Sequence, residues 1–200
     1  GKLGNLSIML QFFSRSGRVE GQTWMRLVFE KSFSLLALIL LSPLLTLIAF
    51  LVRLDSPGPV IFRQVRVGQG QKLFSMYKFR TMYVGAEHQH ASLVRKQLDE
   101  NGSFLLSGKI DDRSTRIGRF LRKLSLDELP QFVNVLKGEM SLVGPRPMLP
   151  SELPYLTEAQ MRRFCILPGI TGLAQINGRS ALSADAYVGF DLALIDARSP

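Results

Sequence analysis

Two carboxylates stand side by side at Asp127-Glu128, directly behind a crowd of cations, Arg116, Arg119, Arg122 and Lys123. Acidic pairs at a helix start also serve as plain caps, because unpaired N–H groups and the helix dipole favour negative charge there. The neighbouring cations turn the reading toward chemistry, since they would hold a carboxylate ionised and nucleophilic. An ionised carboxylate can attack phosphorus to give an acyl phosphate, which splits one hard transfer into two easier ones. The adjacent carboxylate is a natural Mg2+ ligand, and magnesium neutralises diphosphate charge.

Other segments offer binding rather than bond-making. In Gly144-Pro145-Arg146-Pro147 two prolines fix the backbone around Arg146, whose planar fork suits a phosphate. Gly169 to Arg179, GITGLAQINGR, combines three glycines with Gln175, Asn177 and Arg179, as expected of a loop that wraps a polar ligand. His88 and His90 are spaced so that they diverge on a helix, and no metal site is expected from them. Gly68 and Gly70 lack the Gly-Lys-Ser/Thr ending of a phosphate-binding loop and fit a hairpin turn instead.

The elements that must position these residues follow from periodicity. Leu129, Phe132, Val133 and Leu136 recur at helical spacing, which predicts a helix over 125–138 that stops at Gly138. Ser125 and Glu128 match a capping box, while Pro130 belongs in a first turn and moves the start toward Asp127. A basic amphipathic helix over 115–124, capped by Ser114 or Thr115, carries Ile117, Phe120, Leu121 and Leu124 as its apolar stripe. Residues 60–67 and 72–82 predict a β-hairpin in which Lys78 and Arg80 share a face. Residues 84–100 read as helical, and 158–165 as a shorter helical stretch.

Phe33 to Val52 contains no charge. Twenty residues at about 1.5 Å each give roughly 30 Å of helix, enough to cross a bilayer. Ser42-Pro43 falls in the middle, where proline lacks an N–H and clashes with the carbonyl of Ile39. The flanks are basic on both sides, with Arg26 and Lys31 before and Arg53 after. Because positive residues stay cytoplasmic, a hairpin that enters and leaves by one face satisfies both features better than a kinked span.

The 200 residues carry 25 Lys+Arg against 16 Asp+Glu, a net charge of +9, which calls for an anionic partner. The mean hydropathy of +0.13 in so charged a chain means that the apolar residues are concentrated. Cys165 is the sole cysteine, which excludes a disulfide framework or a cysteine metal site. Nucleic acid explains only the charge, since the basic residues alternate with membrane-like sequence rather than with stacking aromatics. A non-enzymatic basic scaffold on the membrane surface explains the charge and the apolar run, but gives no reason for Asp127-Glu128.

Together, LLSPLL around Ser42-Pro43, SPGPVIFRQVRVG, YKFRTM, DDRSTRIGRFLRKLSLDELPQFVNVLKGEMSLVGPRP and LPGITGLAQINGR resemble the bacterial sugar transferase family, the monotopic phosphoglycosyl transferases, over roughly residues 26–199. The resemblance implies transfer of a sugar 1-phosphate, of glucose or galactose, from a UDP-sugar to undecaprenyl phosphate with release of UMP. It implies Asp127 as the nucleophile of a covalent phosphosugar intermediate, Glu128 as its partner, and Mg2+ at both. Lys78, Arg80, Arg122, Arg146 and Arg179 match basic family positions that would bind phosphates or nucleotide. Where the family usually has arginine before Pro-Gly-Ile-Thr-Gly, this chain has Leu167. The expected fold is α+β, mostly helical, with a re-entrant membrane helix broken at Ser42 and Pro43, a small β-hairpin and interfacial amphipathic helices. The expected division is a lead-in over 1–23, the re-entrant helix over 24–55 and a catalytic domain over 56–200. Such an enzyme would sit in the bacterial inner membrane with its site on the cytoplasmic face, with a homodimer as one option for its assembly.

Overall fold

The computed structural model describes residues 24–86, 113–177 and 184–196. The uncharged run forms two helices, α1 (Trp24–Leu40) and α2 (Ser42–Asp55), bent by 63° at Leu41. The break has a local cause. Pro43 has no N–H for the carbonyl of Ile39, and the Ser42 hydroxyl donates to that carbonyl instead at 2.8 Å. The pair is turned inside out. Glu30 and Ser34 are buried, while Phe29, Leu36, Ile39, Leu40, Leu47, Phe50 and Leu54 are exposed. Among the described residues no single helix is long and apolar enough to cross a membrane, and only this bent pair has the length and composition together.

Arg80 receives the chain as it leaves α2. Its guanidinium is buried and donates to Ser56 O, Ser56 Oγ, Pro59 O and Val52 O. The predicted hairpin follows, with β1 (Ile61–Val67) antiparallel to β2 (Leu73–Phe79) from Ile61↔Phe79 to Val67↔Leu73. Asp55 then accepts from the Ile117 N–H at 2.9 Å, tying the end of α2 to α3 (Arg116–Leu124). Thr115 caps α3 by accepting from the Gly118 N–H, one of the two predicted caps. The predicted stripe of α3 divides. Leu121 is buried and Ile117 packs beside it against Ile48, Val52 and Phe79, whereas Phe120 and Leu124 are exposed.

The helix expected over 125–138 is two pieces, a 3-10 turn (Leu126–Gln131) and α4 (Phe132–Lys137). Pro130 and the tight turn before it prevent a continuous α-helix. The predicted capping box does not form. Ser125 ends α3 in the left-handed region, φ 59°, and makes no side-chain cap. The residues buried here are Asp127, Pro130, Gln131, Asn134 and Val135, while the predicted apolar stripe is only half-buried. The stripe divides between two neighbours: Phe132 meets α1, where Phe33 lies 6.2 Å away between ring centroids, and Leu129 packs against Phe79 and Leu121.

A second, parallel sheet was not legible in the sequence. β3 (Ser141–Val143) pairs with β4 (Gly169–Thr171), so the start of the GITGLAQINGR segment is a strand, followed by α6 (Leu173–Ile176), rather than a wrapping loop. The backbones approach so closely that a Cβ on Gly169 would strike the Gly144 N, which requires glycine there. The chain between these strands holds a 3-10 turn (Pro150–Tyr155), α5 (Glu158–Met161) and a second 3-10 turn (Arg162–Cys165). The last described element is α7 (Ala184–Asp196). The helix expected over 84–100 and the His88–His90 pair lie outside the described residues from 87 onward.

Candidate active site

Asp127 reaches its place through backbone geometry. Ser125, in its left-handed conformation, turns the chain out of α3, and its N–H bonds to Arg122 O at 3.3 Å. Asp127 then points inward and is 8% exposed, while Glu128 stays half-buried. The 3-10 turn that carries both packs on β2, and Leu126 and Leu129 anchor it in the core with Phe79 and Leu121.

From β2, Lys78 Nζ meets Glu128 Oε1 at 2.7 Å. Beside this pair opens a small cleft of about 30 Å³ whose polar lining is Arg66, Lys78, Glu128, Gln131, Arg146 and Gln175. A space of that size holds about one water, so any larger ligand must lie across its mouth. Three cations therefore face one lining carboxylate, an arrangement that attracts anions.

The electrostatics differ from the expectation that nearby cations hold Asp127 ionised. Burial pushes its carboxyl above the usual 3.8, against the opposing pull of Lys78 and Arg122, and Glu128 adds to the rise. Of the four cations clustered just before it in sequence only Arg122 acts on it, while Arg116, Arg119 and Lys123 are exposed. Burial likewise lowers the Lys78 ammonium, with Glu128 opposing. Arg66 is lowered to about 10 by burial and by the charge of Arg146.

The sequence-predicted residues thus divide. Asp127, Glu128, Lys78 and Arg122 come together, and Arg146 joins them at the cleft. Arg80 does not share a task with Lys78, since β2 ends between them and the Arg80 guanidinium is engaged by carbonyls at the exit of α2. Arg179 lies outside the described residues. Arg66 was missed. It donates to Gln64 Oε1 and to Pro147 O at 3.1 Å, and its strand alternation with Gln64 was the available signal. Two adjacent carboxylates, one buried, fit Mg2+, which is held by one or two carboxylates with substrate phosphates and water completing the shell.

The bacterial sugar transferase family model matches residues 21–200. The chain is 43% identical over 174 residues to the uncharacterized sugar transferase EpsL of Bacillus subtilis (strain 168), covering 85% of this chain and 79% of that protein. It is 48% identical over 146 residues to the UDP-glucose:undecaprenyl-phosphate glucose-1-phosphate transferase of Escherichia coli (strain K12), covering 72% of this chain and 29% of that one. To the undecaprenyl-phosphate galactose phosphotransferase of Salmonella typhimurium it is 39% identical over 170 residues, 84% of this chain and 36% of that one. The chain therefore spans about a third of these two larger relatives. A family match over almost the whole chain, which takes in every segment that builds the cleft, shows that this protein belongs to the bacterial sugar transferase family.

Proposed function

We propose that this protein transfers a hexose 1-phosphate from a UDP-sugar to undecaprenyl phosphate, releasing UMP, through a covalent intermediate on Asp127. The observation that carries the proposal is the buried Asp127 beside the Glu128–Lys78 pair, at the edge of a cleft flanked by Arg66 and Arg146. The relatives named for glucose and galactose transfer support the acceptor and a UDP-hexose donor.

In the first step an Asp127 carboxylate oxygen attacks the sugar-bearing phosphorus of the donor. The bond from that phosphorus to the bridging oxygen breaks, and UMP leaves with the electron pair. Lys78, Arg66 and Arg146 would face the phosphate oxygens as charge moves onto the leaving group. In the second step a phosphate oxygen of the lipid attacks the same phosphorus. The acyl phosphate bond breaks, and the Asp127 carboxylate is restored. Asp127 and Glu128 would hold Mg2+, which supplies neutralisation of the diphosphate charge. The exposed apolar surface of α1 and α2 supports a re-entrant seat in the inner membrane, with the cleft at its cytoplasmic surface.

Labelled UMP should exchange into UDP-glucose or UDP-galactose with purified protein and magnesium and no lipid acceptor present. Asp127→Asn is expected to reduce this exchange by about a thousandfold or more while folding is kept. Exchange that survives the substitution removes Asp127 from the nucleophile's role.

A further inference from the structure

The loop that carries Arg146 is held carbonyl by carbonyl. Pro145 O accepts from the Gly169 N–H at 2.8 Å, and Met148 O accepts from the Val67 N–H at 2.9 Å. Pro147 O accepts from Arg66 Nη1 at 3.1 Å. Arg146 O accepts from Arg163 Nη2 at 3.0 Å. β4 and β1 supply three of these donors, so those bonds come with the sheets. The Arg163 bond has another origin. Its guanidinium is 2% exposed and reaches Asp191 Oδ2 at 2.6 Å, and Asp191 lies on α7 and is wholly buried. Arg163 Nη1 also contacts Met148 Sδ at 2.8 Å. One buried fork thus joins α7 to two residues of the Arg146 loop.

A rigid frame is needed at this point for an electrostatic reason. Arg146 shares its cleft with Arg66 and Lys78, and like charges drive an unrestrained arginine out toward water. Arg146 is exposed at the cleft, so a fixed backbone sets where its fork can reach and a bound anion holds it there. The Arg163 bond in turn depends on Asp191, because an arginine this deeply buried without a counter-charge would shift toward solvent and leave the carbonyl of Arg146.

We propose that the buried Arg163–Asp191 pair is a positioning device for Arg146, by which helix α7 sets the phosphate-facing arginine of the cleft. The inference rests on the reading of Arg146 as a substrate-contacting residue given above.

The test is a mutant cycle on the full chain, reading kcat/KM for UMP release from the preferred UDP-sugar with undecaprenyl phosphate. Asp191→Asn should lower kcat/KM between about ten- and a hundredfold, as expected when a reacting group is displaced. Should Asp191→Asn fail to fold, the double substitution Arg163→Met/Asp191→Leu replaces the ion pair with apolar side chains and still removes the bond to Arg146 O. That folded double variant should show the same loss. In an Arg146→Lys background either change should have less than about a twofold effect, because residues acting as one unit are not additive. Asp196→Asn breaks the exposed Arg162–Asp196 pair on the same helix and should stay within about twofold of the unsubstituted protein.

Full activity in the folded double variant would overturn the proposal. So would an equal loss in both Arg146 backgrounds, or an equal loss from Asp196→Asn, either of which would mean simple loss of packing. An Arg146→Lys protein as active as the unsubstituted one would instead sink the assignment of Arg146 on which the inference stands.

Discussion

At Asp127 the proposed nucleophile's need for charge and a buried site's resistance to charge act on one carboxyl. Burial raises its pKa, and Lys78 and Arg122 recover only part of the ionised form. Attack requires the carboxylate, so activity falls as pH drops through the raised value. The acid limb of kcat/KM should therefore lie above 3.8, and Lys78→Met should move it higher still by removing the largest opposing charge. Stability has the opposite sign. A folded-state pKa above the unfolded one makes ionisation of Asp127 unfavourable to folding, a penalty absent below the unfolded pKa and complete above the folded one. Asp127→Asn should consequently raise Tm at neutral pH relative to the unsubstituted protein, with the difference vanishing below about pH 3.8. A stability difference that grew on acidification would contradict this account.

At the scale of elements the decisive feature is the junction between α3 and the following 3-10 turn. Ser125 takes φ 59°, where a side chain costs about 1–2 kcal/mol. The strain is tolerated because α3 is fixed at its start and in its middle. Asp55 and Thr115 hold its start, and Leu121 locks its middle into the core. Ser125→Val should lower stability by about 2 kcal/mol, since a β-branched residue fits the left-handed region worst. It should lower kcat as well, because Asp127 follows two residues later. Urea unfolding together with UMP exchange measures both, and an unchanged kcat in a destabilised protein would separate the turn from the site. The first helix has an anchor of the same kind. Buried Glu30 receives Arg26 Nε at 2.9 Å and the Ser141 hydroxyl at 2.8 Å, which ties α1 to the strand leading into the Arg146 loop.

For the whole molecule the proposed re-entrant seat rests on the surface of the bent pair. Its inward face is Glu30, Ser34, Ile48 and Val52, and its outward face is large apolar side chains continuous in type with exposed Phe120 and Leu124 of α3. A re-entrant seat puts both ends of the pair on one side. With Cys165→Ser as background, single cysteines replacing exposed Trp24 and Leu54 should both react with an impermeant thiol reagent from the cytoplasmic side. A cysteine replacing Leu40, beside the bend, should be protected. Labelling of the two ends from opposite sides would show a kinked span instead.

The sequence by itself determined the hairpin and the break at Ser42-Pro43 and narrowed the cap of α3 to Ser114 or Thr115, because each rests on local chemistry: strand alternation, a missing N–H, a hydroxyl before a helix. Resemblance in the long block from Asp111 to Pro147 led to the family. Tertiary structure decided what local rules cannot reach. The three-residue strands β3 and β4 have too few residues for a periodic signal, and they exist because Gly144 and Gly169 let two distant backbones touch. Lys78 and Arg80 look equivalent in a strand pattern, yet one pairs with Glu128 and the other clamps the exit of α2. Nearby arginines in sequence suggested a carboxyl with its pKa held down, whereas burial, which depends on the whole fold, raises it. The entry of Arg66 into the cleft and the grip of α7 on the Arg146 loop are likewise contacts between distant segments, which no sequence period encodes.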